Sequence, residues 1–261
     1  MREQARMTLD DAARRLEKTR SSLHRIEQGQ TRADIHLVKS MMDLYDVYDD
    51  ELGELVRQAA KSGWWRAYGL ADYGYVDVET EASSVLEFGG LNIPGLLQTE
   101  AYTHALLRTG RRRTDAELRN DVAVRAIRQE RLTDEEQPLG LTAIIDQAAL
   151  AREVGGREVM HGQLLRLVEA AELPTLTLQL LPFHTGAHDA MNGAFTVLTF
   201  PERDESDLLY VAYPSGAVHL EAEDEVRAAK LVFARLRSQA LPPQDSAALI
   251  ERLAAELYGG P

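Results

Sequence analysis

The stretch TLDDAARRLEKTRSSLHRIEQG, residues 8–29, reads as two short helices joined by a tight turn. Thr8 is a good N-cap, and Asp10 and Asp11 follow in the first turn, where the helix dipole favours negative charge. Leu9, Ala12, Ala13 and Leu16 recur at helical spacing and make the apolar stripe of the first helix. The small side chain of Ala13 lets a second helix approach closely. Thr19 caps that second helix, which runs from Arg20 to Gln28 and stops at Gly29. Leu23 and Ile26 face inward from it, which leaves Arg20, Ser21, Ser22, His24 and Arg25 on a polar face. A further helix, Ile35 to Tyr45, offers Ile35, Val38, Met41, Met42 and Tyr45 for packing.

A polar helix face of this make-up suits the major groove of DNA. Arginine can hydrogen-bond guanine bidentately, and serine can bond several base edges or a phosphate. The candidate DNA-contacting residues are Thr19, Arg20, Ser21, Ser22, His24 and Arg25, with Arg32 just past the helix placed for a phosphate. The bland alternative is a solvated helical hairpin with ordinary surface arginines. Charge distribution favours the first reading. The chain carries a formal net charge of −13, yet residues 1–42 hold nine basic against six acidic side chains. The head is therefore +3 and the remainder −16. An acidic body repels DNA everywhere except at a basic head.

The 261 residues allow a small module plus a larger one. No apolar run approaches the roughly 18 residues that a membrane span needs. The polar start, MREQARMTLDD, has no signal-peptide core, and the absence of cysteine excludes disulfides and thiolate metal sites. These features point to a cytoplasmic protein away from membranes. Asp49 to Ala60 reads as a helix with Leu52, Leu55 and Val56 inward. SGWWRAYG, residues 62–69, sets Trp64 and Trp65 beside Arg66, as a ligand box, a base-stacking platform, a docking plug or plain packing.

Beyond it, helices are expected at Asp77 to Leu86, from Thr99, at Thr114 to Thr133, Arg157 to Leu173, Ala222 to Leu241 and Pro243 to Tyr258. Strands are expected at Leu141 to Asp146, Thr175 to Leu181, Ala194 to Phe200, Leu208 to Tyr213 and Ala217 to Leu220. The fold class is thus α+β, an all-α head over residues 1–60 and a mixed α/β domain over residues 61–261. His184, His188 and Asp189 could supply metal ligands, but Gly186 after Pro182 argues for a loop with surface histidines. Asp146 reads as the cap of the next helix. No nucleophile elbow, P-loop or dinucleotide fingerprint is present, so no enzyme, metal or cofactor is expected. Arg111, Arg112 and Arg113 could meet DNA or an acidic partner, or lie in a solvated loop.

The head resembles the Cro/repressor-like (Xre-type) helix-turn-helix family through Ala13, Leu16, Leu23, Ile26, Glu27 and Gly29. That resemblance puts Arg20, Ser21 and Arg25 at base-reading positions. Three departures stand out. Leu9 replaces the usual Gln, and Glu17-Lys18 replaces the usual Gly plus aliphatic residue at the turn. Only Met1 to Met7 precede Thr8, so the family's first helix is mostly missing. Leu16, Leu23 and Ile26 should then be under-covered, and the chain is expected to begin inside a longer head.

The body resembles the Scr1-type regulators of actinomycetes, whose C-terminal region is the DUF5753 domain. The motifs that carry this are GWWRAYG, EASSVLEFGGLNIPGLLQTEAYTHALLRTG, VRAIRQERL, DQAALAREVGGREVMHGQL, LPTLTLQLLPFHTGAH, GAFTVLTFP and VFARLRSQAL, in that order. FGGLN at residues 88–92 departs from the family's acidic-proline step. The resemblance implies an antitoxin-like, homodimeric transcriptional regulator of operator DNA with a small DUF397-type protein partner. Trp64, Trp65, Arg111, Arg112 and Arg113 are the candidate partner contacts. The alternative is an interaction module that sequesters the small partner and binds DNA weakly.

Overall fold

The computed structural model describes residues 1–27, 33, 35–60, 64–68, 74–109, 113–201 and 206–258. The chain divides into two compact units, Met1–Trp64 and Trp65–Pro261. The first holds helices α1 (Leu9–Arg15), α2 (Arg20–Glu27), α3 (Ile35–Tyr45) and α4 (Asp50–Ala60). Asp49 caps α4, its carboxylate accepting from the Glu51 and Leu52 amides at 3.0 and 3.1 Å. Leu52 and Val56 are half-buried, but Leu55 is 59% exposed, against the sequence expectation. The reason is that α4 packs on α3, which covers one narrow stripe of it.

The second unit is built on a six-stranded sheet in the order β3-β2-β1-β4-β5-β6. Its strands are β1 (Ser84–Gly89), β2 (Gly140–Asp146), β3 (Leu176–Leu181), β4 (Phe195–Thr199), β5 (Leu208–Tyr213) and β6 (Gly216–Leu220). β1 runs parallel to β2, and β2 to β3, while β4, β5 and β6 continue antiparallel from the other side of β1. The helices are α5 (Tyr75–Glu81), α6 (Glu100–Leu107), α7 (Asp115–Glu130), α8 (Gln147–Ala151), α9 (Arg157–Ala170), α10 (Glu223–Gln239) and α11 (Pro243–Leu253). Val85, Leu141, Ile145, Leu178 and Leu198 bury one sheet face with the apolar sides of α9 and α11. On the other face, Phe88, Ile144 and Leu181 meet Phe233 and Leu236 of α10.

The helix expected over Asp77 to Leu86 is corrected. The α5 helix ends at Glu81, Ala82 turns extended, and Ser84 opens the central strand. A strand buried on both faces lacks the alternation that marks a half-buried one, and Glu87 within it further disguised the pattern. The FGGLN turn follows from close approach. A Cβ on Gly89 would lie 2.7 Å from the Asn92 carbonyl oxygen, so only glycine fits there.

Three of the quoted body motifs, those that hold Gln98, Gln129 and Gln163, meet in one buried polar network. Gln98, 4% exposed, donates to the Ile93 carbonyl at 2.6 Å and accepts from the Thr103 hydroxyl and the Arg125 guanidinium. Gln129 donates to the Gly95 and Gln98 carbonyls at 2.9 and 2.8 Å. Gln163 accepts from the Thr99 amide and donates to the Leu97 carbonyl. The PGLLQT segment therefore satisfies its backbone through side chains of α7 and α9. Leu96 and Leu97 lie in the core.

Beside this network, Arg128 of α7 grips Glu79 of α5 bidentately at 2.6 and 2.7 Å. Burial works against the Arg128 charge, but the Glu79 carboxylate outweighs it and holds the guanidinium pKa above its usual value. Arg131 adds bonds to the Glu79 and Ala82 carbonyls. Glu79→Gln should cost about 3–5 kcal/mol in urea unfolding, because it strands a buried cation. The double variant Glu79→Met, Arg128→Met should cost less than half of that.

Candidate nucleic-acid interface

The geometry of the head starts from two capped helices and the turn between them. The Thr8 hydroxyl accepts from the Asp11 amide at the start of α1, and the Thr19 hydroxyl accepts from the Ser22 amide at the start of α2. Between them, Lys18 donates to the Ala13 carbonyl at 2.8 Å and Glu17 to the Arg14 carbonyl at 3.3 Å. That pair of bonds is a Schellman closure, and it requires a left-handed residue after the helix. Glu17 takes that conformation, at φ 53°. The turn is therefore that of its resemblance, made by a glutamate where a glycine would be free of strain.

Met1 to Met7 form one tight turn that packs on the head core. The Ala5 amide donates to Met1 and the Met7 amide to Arg2. Arg2 then bolts this turn to the end of α2. Its guanidinium donates to both Glu27 carboxylate oxygens at 2.7 and 3.0 Å and to the Met7 carbonyl at 2.9 Å. The hydrogen bond to Glu27 raises the Arg2 pKa above its usual value. Met1, Ala5 and Met7 pack against Ala12, Ala13, Leu16, Leu23 and Tyr45. The expected under-covering is corrected: Leu23 is 0% exposed, and Ile26 joins the cluster.

With that side closed, the opposite side of α2 faces solvent. Thr19, Arg20, Ser21 and His24 are exposed and Ser22 is half-buried. Arg25 lies within α2. Arg32 lies outside the described residues, as do Gln28 and Gly29. Arg20 Nε stands 3.6 Å from an Asp10 carboxylate oxygen, with both side chains largely exposed. The α2 face is thus a short polar ridge raised on a packed base.

The other candidates are scattered. Trp64 and Trp65 lie in a short 3₁₀ turn, Trp64–Tyr68, with Trp65 buried and Trp64 half-buried. Arg111 and Arg112 lie outside the described residues. Arg113 is held at home, donating to Asp121 at 2.7 Å and to the Leu107 carbonyl at 2.7 Å. His184 is exposed, whereas His188 is not the surface residue expected. Its side chain is 9% exposed, with Nε2 3.2 Å from Asp146, because it fills the space beside the Phe88 ring. Asp146 caps α8 by accepting from the Ala148 amide at 2.7 Å. Among the described residues, no group of three His, Asp or Glu side chains could hold a metal. No described helix is long and apolar enough to cross a membrane. The Arg2–Glu27 clasp escaped sequence reasoning, since no local spacing links residues 25 positions apart.

Residues 74–252 match the family model described as a domain of unknown function, DUF5753. The chain belongs to this family. A helix-turn-helix domain model matches residues 1–55, so this DUF5753 protein carries a DNA-binding helix-turn-helix head and is a DNA-binding regulator. No curated protein and no solved structure matches the chain. Both Trp64 and Trp65 fall between the two matched regions. For the head of this DUF5753 protein, Glu17→Gly should raise stability by about 0.5–1 kcal/mol, by removing left-handed strain. Slower amide hydrogen exchange in α1 and α2 of the full chain would register it. Glu17→Val should speed exchange there.

Proposed function

We propose that the chain is an antitoxin-like transcriptional regulator that reads operator DNA through α2. It acts as a homodimer in the cytoplasm, and each α2 enters a major groove at half-sites about one helical turn apart. The observation that carries this reading is the contrast across α2, with Leu23 sealed into the base and Arg20, Ser21 and His24 exposed opposite it. Arg25 completes the base-reading set, while Thr19, Ser22 and Arg32 serve the phosphates. The basic head on an acidic chain supports the same reading, since it directs DNA to one end. The chain is not an enzyme in this reading and uses no cofactor.

The DUF5753 unit governs the head through a small DUF397-type protein partner or a small-molecule effector. Trp64 and the arginines at 111 and 112 are proposed contacts to the partner, whereas Trp65 is buried and Arg113 is tied to Asp121. The rival reading is sequestration of the partner with weak DNA binding. The closed core around Leu23 supports a folded, DNA-reading head instead.

Gel shift with a duplex selected by this protein from a random pool is the direct test. Arg20→Ala and Arg25→Ala should each weaken binding by about 1–3 kcal/mol, and the base reader should relax specificity at one position. Selection that enriches no sequence, or a footprint unchanged in both variants, would reject base reading by α2.

A further inference from the structure

The sheet changes direction at β1, which is parallel to β2 on one side and antiparallel to β4 on the other. At the carboxyl ends of β1 and β2, the loop Gly89–Ile93 and the loop Met191–Ala194 diverge and leave a cleft of about 740 Å³. Crevices outside the carboxyl ends of parallel strands are where such sheets accommodate ligands, and this volume suits a small organic molecule.

The chemistry of the lining is selective. Phe88, Phe195, Tyr210, Tyr213 and Met191 make most of the wall apolar and aromatic. Two carboxylates, Glu87 and Asp146, line the cleft, and among the described residues no Lys or Arg does. Asp146 is already committed, with one oxygen on the Ala148 amide and the other 3.2 Å from His188 Nε2. His188 is committed as well, since its Nδ1 accepts from the Ala190 amide. Glu87 accepts the Gly95 amide and is left as the lining carboxylate with no side-chain partner among the described residues. Sheet register sets it beside Thr196 of β4, and Thr196 beside Tyr210 of β5, so the three share one face.

Two cations lie behind Glu87 and favour its ionised form, and neither makes an ion pair with it. Arg128 is held bidentately by Glu79, and Arg125 donates to the Gln98 side chain. Among the described residues, no ion pair involves Glu87. We propose that this cleft binds a small organic cation, an amine on an aromatic or aliphatic body, whose ammonium pairs with the Glu87 carboxylate. Thr196 and Tyr210 flank the charged end on the Glu87 face, and the body of the ligand crosses the strand ends toward Phe195 and Tyr213 on the other face. That this cation is the regulator's effector rests on the function proposed above; that it binds does not.

The surroundings of Glu87 add a pH signature. Burial, reinforced by Glu79, pushes its carboxyl up to about 7, while Arg128, Arg125 and the Gly95 amide pull the other way. Tyr75 lies against Tyr210 on the same side, and His219 lies beyond Tyr210. A cationic ligand needs the ionised carboxylate. The ionised share rises about tenfold from pH 6 to pH 8 for a carboxyl of that pKa, and affinity should rise with it.

The test uses the full chain and three matched probes, 2-phenylethylamine, its neutral N-acetyl derivative and the anion 3-phenylpropionate. Binding is followed by ligand-observed NMR titration. The amine should bind at least tenfold tighter than either match, and about tenfold tighter at pH 8 than at pH 6. Glu87→Gln should abolish both differences. Ala194→Trp, on the exposed rim of the cleft, should block the amine while leaving the fold intact. Equal binding of the three probes, no saturable amine binding, or unchanged amine affinity in both variants would overturn the proposal. Gel shift of the same samples separates the two readings. A normal DNA shift without amine binding sinks the cleft and leaves the head, and amine binding without any DNA shift does the reverse.

Discussion

The Glu79–Arg128 ion pair is the contact on which the second unit depends. It joins α5, which precedes the central strand, to α7, which follows it, and it does so where both side chains are almost fully withdrawn from water. Neither charge could stay buried without the other. The pair also sets its neighbours. Arg131 secures the chain between α5 and β1 by its carbonyls, the Arg128 guanidinium lies 5.0 Å from the centre of the Tyr75 ring, and Arg125 is left to hold Gln98. Repulsion from Arg128, after burial, brings the Arg125 pKa down to about 10. The loop that shapes the cleft is thus fixed by a chain of polar contacts that begins at one buried pair.

Much of the fold was legible because its signals are local. Thr8 and Thr19 announce two helices by their caps, and Leu23 announces the inner face of the second. The edge-ward strands β4, β5 and β6 and the paired β2 and β3 show up as apolar runs between turns. The central strand did not, because both of its faces are buried and a carboxylate sits in it. Its misreading hid Glu87, the one residue that makes the cleft chemically selective. A solvated carboxylate and a sequestered one look alike in sequence. Only the register with Thr196 and the committed state of Arg125 and Arg128 tell them apart.

The head presents the opposite case. Its resemblance named the turn and the reading face, but the physics that completes it is non-local. Residues 1–7 form one turn, and the Arg2–Glu27 clasp across 25 positions holds that turn on the core. Glu17 supplies a left-handed bend at some cost in strain.

The Asp10–Arg20 pair on the exposed side of that head has a thermodynamic consequence for any encounter with a polyanion. In the proposed function Arg20 would reach the duplex with a carboxylate already beside it. Its transfer to a phosphate or base is an exchange of anionic partners, and it frees Asp10 to collect a cation from solution. The ion release that drives association is partly refunded at this position. A head built this way gains less from indiscriminate electrostatic attraction, so more of its affinity has to come from contacts that fit.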